Sequence, residues 1–206
     1  MNNPAADLYR VRTGDVAKTG AMLARAFRPD PVWQAVFGSD STDAQREAVF
    51  SMPVRYCLRY GEAYAASENL EGIIGWTPGE RAEMTIGRII RCGGIVSGLC
   101  IGAELSRRID SVFRQLTKDQ NEHMREGRFL YVHILGVEPE CQGRGIGRRL
   151  IGALLERAGR ERRSVYLETE TERNVEMYRR HGFRLVKTPT LEPIGLPMYE
   201  MIRDPA

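Results

Sequence analysis

The chain has 206 residues, a formal net charge of +3, 42% hydrophobic and 28% charged residues. That length suits one domain with a real core. The balanced charge gives no case for nucleic-acid binding, and no apolar run reaches the ~20 residues that span a bilayer, so no membrane partner is expected.

The basic residues are 27 Arg against 3 Lys, read here as compositional bias rather than a basic face. Cys57, Cys92, Cys100 and Cys141 show no C-x-x-C spacing, and His123, His133 and His181 do not cluster with them, so no metal site is expected. Dispersed thiols and an N-terminus without an apolar signal core point to a cytoplasmic protein.

In chain order, "DLYRVRT" (7–13) alternates as a half-buried strand does. Thr13 caps a helix whose apolar side is Val16, Met22, Leu23, Ala26 and Phe27. "RPDPVWQAVFG" breaks that helix. Ser41 caps a second one running to about Tyr60, with Pro53 inside it. Residues 62–67 and 70–78 read as a hairpin around Glu68-Asn69. Two helices, roughly 82–92 and 101–125, are expected in the glycine-interrupted stretch that follows.

Beyond it the pattern sharpens. "RFLYVHILGV" (128–137) is a strand, and a glycine loop then opens a helix to about Gly159, with Leu150, Ile151, Leu154 and Leu155 as its buried side. "SVYLETE" (164–170) is a strand and 172–182 a short helix ended by Gly182. "FRLVKT" and "LPMYEMIR" are final strands around a Pro-rich loop (188–197), in which Leu191, Ile194 and Leu196 offer a pocket wall or a homodimer contact.

The loop "CQGRGIGRRL" can hold an anion. Glycines there remove Cβ atoms, and the helix start supplies unpaired amides and a partial positive charge. A P-loop is excluded, because the chain contains no Gly-Lys pair. A dinucleotide fingerprint starting at Gly143 would need glycine or alanine where Arg148 stands. A dinucleotide, a purely structural turn and the diphosphate of another cofactor stay open at this point.

Gln142-Gly143-Arg144-Gly145-Ile146-Gly147 resembles the Q/R-x-x-G-x-G/A loop of the GNAT superfamily of acyl-CoA-dependent N-acetyltransferases. "LETETERNVEMYRRHGF", with Asn174, Tyr178 and Gly182-Phe183, is similar to the family's next segment. "AFRPDPVWQAVFG" and "GIIGWTP" resemble the branch containing puromycin N-acetyltransferase. The resemblance implies a single α+β (α/β/α) domain over 1–206, with an acyl-CoA core at 128–184 and a helical substrate-side insertion at 80–126. It implies a mixed, mostly antiparallel sheet of about seven strands, helices on both faces and a central parallel pair splayed for coenzyme A.

It further implies transfer of an acetyl group from acetyl-CoA to a primary amine, on a small molecule or a peptide, by direct attack in a ternary complex. The alternative is a non-catalytic acyl-CoA-binding module. By resemblance, the backbone of Leu135, Gly136 and Val137 meets the pantetheine arm, residues 142–147 hold the diphosphate, and Asn174 contacts the arm. Tyr178, one turn from Asn174, is the proton donor to the leaving thiolate. His133 and Glu168 are the candidate bases, with Glu170 as a competitor; a carboxylate there suits a cationic acceptor. His133 and Leu135, two apart on a strand, are expected on one sheet face unless a bulge intervenes.

Overall fold

A computed structural model describes residues 7–123 and 128–205. The first strand, β1, is only Tyr9–Arg10. Thr13 lies in a 3-10 turn rather than at a cap: Asp15 Oδ2 accepts the Arg12 amide and the Tyr9 hydroxyl, and α1 runs Val16–Ala26. From the second of the prolines expected to break the chain runs a further helix, α2, Pro31–Phe37. Asp30 accepts the Val32 and Trp33 amides, and Pro31 at the first helical position needs no donor there. The cap of α3 (Asp43–Tyr60) is Thr42, not Ser41, because Thr42 and Gln45 satisfy each other's amides in a capping box.

Strands β2 (Glu62–Ala65) and β3 (Gly72–Pro78) follow as the expected hairpin. The glycine-rich stretch forms three helices instead of two: α4 Ile86–Arg91, α5 Gly94–Ile101 and α6 Ala103–His123. Gly93 (φ +86°) and Gly102 (φ +83°) supply left-handed corners between them. The expected end of the last helix at 125 lies outside the described residues.

Then come β4 Phe129–Val137, α7 Ile146–Glu161, β5 Ser164–Thr169, α8 Glu172–Arg179 and β6 Arg184–Lys187. A small hairpin, β7 Thr190–Leu191 and β8 Leu196–Pro197, precedes β9 Tyr199–Arg203. Leu191 is fully buried, and Ile194 and Leu196, partly buried, pack against the same core.

Seven strands pair in the order β1-β2-β3-β4-β5-β9-β6, all antiparallel except β4 with β5. One face is covered by α1, α2, α3 and α6, around Leu23, Phe50, Ile73 and Val112. The other is covered by α7 and α8, around Ile74, Leu150, Leu154 and Tyr178. The fold is the mixed α/β sandwich with one parallel pair.

Candidate functional site

The parallel pair is joined only at its start: Phe129↔Ser164, Leu130↔Val165 and Tyr131↔Tyr166. Beyond that, β4 continues to Val137 against β3, and β5 continues to Thr169 against β9. The strands part, and the edges of β4 from Val132 and of β5 from Leu167 face a gap. Backbone groups there need a partner that the sheet does not give.

β4 also carries an extra residue. Gly75 pairs with Ile134 and Trp76 with Val132, leaving His133 as the bulge. The alternation therefore slips. His133 and Ile134 both lie on the α3 side, while Leu135 packs in the α7 cluster. His133 and Leu135 do not share a face, which corrects the expectation from their spacing.

At the far end of β4, the loop and helix start are held against β3. A Cβ on Gly72 would lie 2.7 Å from Ile146 Cγ2 and 3.2 Å from Val137 Cγ2, so only glycine lets α7 approach this closely. Gly143 (φ +76°) and Gly145 (φ +79°) adopt left-handed backbone, and Gly145 is the N-cap of α7. The first-turn amides of Ile146, Gly147 and Arg148 have no acceptor within the helix. Gln142 Nε2 donates to the Val137 carbonyl at 3.2 Å, tying loop to strand, and Arg149 donates to the Ala66 carbonyl. Arg144 stands in solvent at the loop's crest. Gly136 serves packing as well: a Cβ there would sit 2.5 Å from Leu23 Cδ2 of α1. Backbone amides, a helix start and an arginine are the donor set a diphosphate requires, and the parted strand edges suit an amide-bearing arm; these residues fit coenzyme A.

Asn174 and Tyr178 lie one turn apart on α8, where the Thr171 side chain caps the helix by accepting the Asn174 amide. The Tyr178 ring is buried, edge-on to Phe183, and its hydroxyl has no hydrogen-bond partner among the described residues. Burial, with Glu170 close by, raises its pKa, so it stays a proton donor.

On the α3 side, His133 Nε2 is 3.0 Å from Thr77 Oγ1, with the rings of Tyr131 and Tyr56 4.6 and 5.1 Å away. Burial pushes its pKa down to about 3. Across the gap, burial pushes Glu168 up to about 8 even though the Tyr131 hydroxyl donates to it. Glu170 and Asp30 both titrate high through burial, and Asp30 adds repulsion on Glu170. Trp33 donates to Glu170 and, with Phe27 and Phe37, lines a cavity of about 80 Å³.

The structure thus brings Glu168 and His133 to one face and Tyr178 to the other, with the glycine loop beyond the end of β4. Sequence reading missed Tyr131, Thr77 and Asp30. Asp30-Pro31 was legible as a cap followed by a first-turn proline. Tyr131 and Thr77 carried no local signal.

The family described as "Acetyltransferase (GNAT) domain" matches residues 89–185. Over 79 residues the chain is 42% identical to the N-alpha-acetyltransferase RimI of Mycobacterium tuberculosis, which is 35% of this chain and 48% of that protein. Over 60 residues it is 42% identical to the mycothiol acetyltransferase of Propionibacterium freudenreichii, 28% of this chain and 19% of the relative. The matches therefore span about half or less of these relatives. In fold, the chain is similar to a Corynebacterium glutamicum structure described as histone acetyltransferase HPA2 and related acetyltransferase. The TM-score is 0.66 at 19% identity, over 97% of this chain and 96% of the other.

Proposed function

We propose that the chain, which matches the GNAT acetyltransferase family over residues 89–185, is an acyl-CoA-dependent N-acetyltransferase acting on a cationic primary amine by direct attack. The observation that carries this reading is the arrested pairing of β4 and β5 after Tyr131↔Tyr166, with the glycine-capped start of α7 beyond the same strand. A mere structural turn would need no gap.

Acetyl-CoA supplies the acetyl group as a thioester. Residues 142–147 hold its diphosphate through main-chain amides, and the edges of Leu135, Gly136 and Val137 meet the amides of its arm. Asn174 orders that side of the gap. Tyr178, buried and protonated, donates a proton to the sulfur as the carbon–sulfur bond breaks.

The acceptor enters from the α3 side. A protonated amine is not nucleophilic, so a base must take its proton. Glu168, with a pKa of about 8, is partly ionised near neutrality and strong enough for the task. His133, at about 3, is too weak a base to hold that proton and serves as a neutral wall of the pocket. Asp30, Glu170 and Trp33 put carboxyl groups and an aromatic ring together, a setting that favours an ammonium group.

The test is release of free thiol from acetyl-CoA across a panel of amines, after calorimetry has established coenzyme A binding. The expected result is amine-dependent release, largest for acceptors with a second positive charge. Binding without release for any amine gives the non-catalytic module instead.

A further inference from the structure

Among the described residues, the large hydrophobic side chains left in solvent all belong to one short stretch: Ile86 (78% exposed), Ile90 (48%), Ile95 (62%), Val96 (74%) and Leu99 (81%). The stretch is α4 and α5. Their inner side is already used, with Cys92 beside Tyr56 and Met52 and with Ile101 in the core under α3. What faces out is a second apolar surface that none of the described residues covers.

Its electrostatic surroundings are one-sided. Between Glu83 and Glu104 the chain has no carboxylate, and it has two arginines, Arg88 and Arg91. α3 adds Arg55 and Arg59, whose charges both act on the Cys92 thiol; a Cβ on Gly93 would lie 4.0 Å from Arg55 Nη1. None of these four guanidinium groups forms an ion pair with a carboxylate among the described residues; that of Arg88 donates to the carbonyls of Glu83 and Glu80 and meets the Tyr56 hydroxyl, and that of Arg91 donates to the Gly87 carbonyl.

We propose that α4 and α5 form a surface that seats on anionic lipid. The aliphatic side chains enter the boundary between headgroups and acyl chains, and the arginines meet lipid phosphates. Among the described residues no helix is long and apolar enough to cross a membrane, so the surface lies on the bilayer. A second copy of the chain fits less well. A two-fold contact through the same face would bring Arg88 and Arg91 near their own counterparts, with no carboxylate in the stretch to offset them.

The experiment is sedimentation of the full chain with phosphatidylcholine vesicles, with and without phosphatidylglycerol. The protein is expected to pellet with the anionic vesicles, to stay in solution with the neutral ones, and to be released as salt rises. Ile95→Ser/Leu99→Ser, both at exposed positions, is expected to lower partitioning at least about tenfold with an unchanged melting temperature. The proposal is overturned if the wild type stays in solution with anionic vesicles, or if the double variant pellets equally well. Light scattering that shows a dimer dissolved by the same substitutions would assign the face to a second copy.

Discussion

His133 Nε2 lies 3.0 Å from Thr77 Oγ1, at the place where β4 carries one residue more than β3. The contact fixes the imidazole of the bulged residue on the α3 side, under Tyr56 and beside Tyr131. Burial holds it neutral down to about pH 3. The plot of kcat/KM against pH is therefore expected to show no break at the ordinary histidine value near 6.5. Thr77→Val should lose about 1 kcal/mol of stability, read by denaturant unfolding, as the imidazole loses its partner. A break near 6.5 that disappears in His133→Gln would return the base role to histidine.

Tyr178→Phe removes a hydroxyl that no group among the described residues holds and leaves the ring against Phe183. Stability should change by less than about 0.5 kcal/mol. Turnover should fall by roughly 10²–10³-fold, the scale of a lost general acid, while coenzyme A affinity measured by calorimetry stays within about threefold. Undiminished turnover removes Tyr178 from its role.

Gly145 caps α7 in left-handed backbone, and a Cβ there would meet nothing within 4 Å. Gly145→Ala is thus a conformational test rather than a steric one. It should cost about 1–2 kcal/mol in the loop and weaken coenzyme A binding. Gly152→Ala, inside α7 and equally free of neighbours, should stabilise by about 0.5–1 kcal/mol and leave binding alone. Equal affinity in the two variants would argue against an anion held at this loop.

Glu168 titrates at about 8 in the folded chain, against about 4.5 ordinarily. Between those values the folded state keeps a proton that the unfolded chain has released, so this group's contribution to stability falls as pH rises through the window. Glu168→Gln lacks that slope. Its melting temperature, relative to wild type, should climb from about pH 5 to about pH 9. A constant gap would mean that Glu168 ionises as an ordinary carboxyl. Under the proposed mechanism the same variant should lose most of its turnover.

Much of the fold was legible because its signals are local. The glycine loop, the strand before it and the Asn174–Tyr178 turn after it stand where the residue pattern puts them. The errors fell where one particular partner or backbone angle decides among residues that look alike in sequence. Ser41 and Thr42 are equally good caps on paper, and Gln45 chose between them. Whether 86–123 makes two helices or three turned on which glycines sit at left-handed corners, something composition does not rank. Leu191, one of three loop residues that suited a pocket wall or a dimer contact alike, is buried in the core, with Ile194 and Leu196 partly buried against it.

The sequence by itself determined the loop, its glycines and the helix they open, because turn and helix-start chemistry acts over a few residues. Only the tertiary structure decided which face His133 occupies, since a bulge exists only against a neighbouring strand. It alone also set Glu168 high and His133 low, because desolvation is a property of what packs around a group and not of the residue's place in the chain.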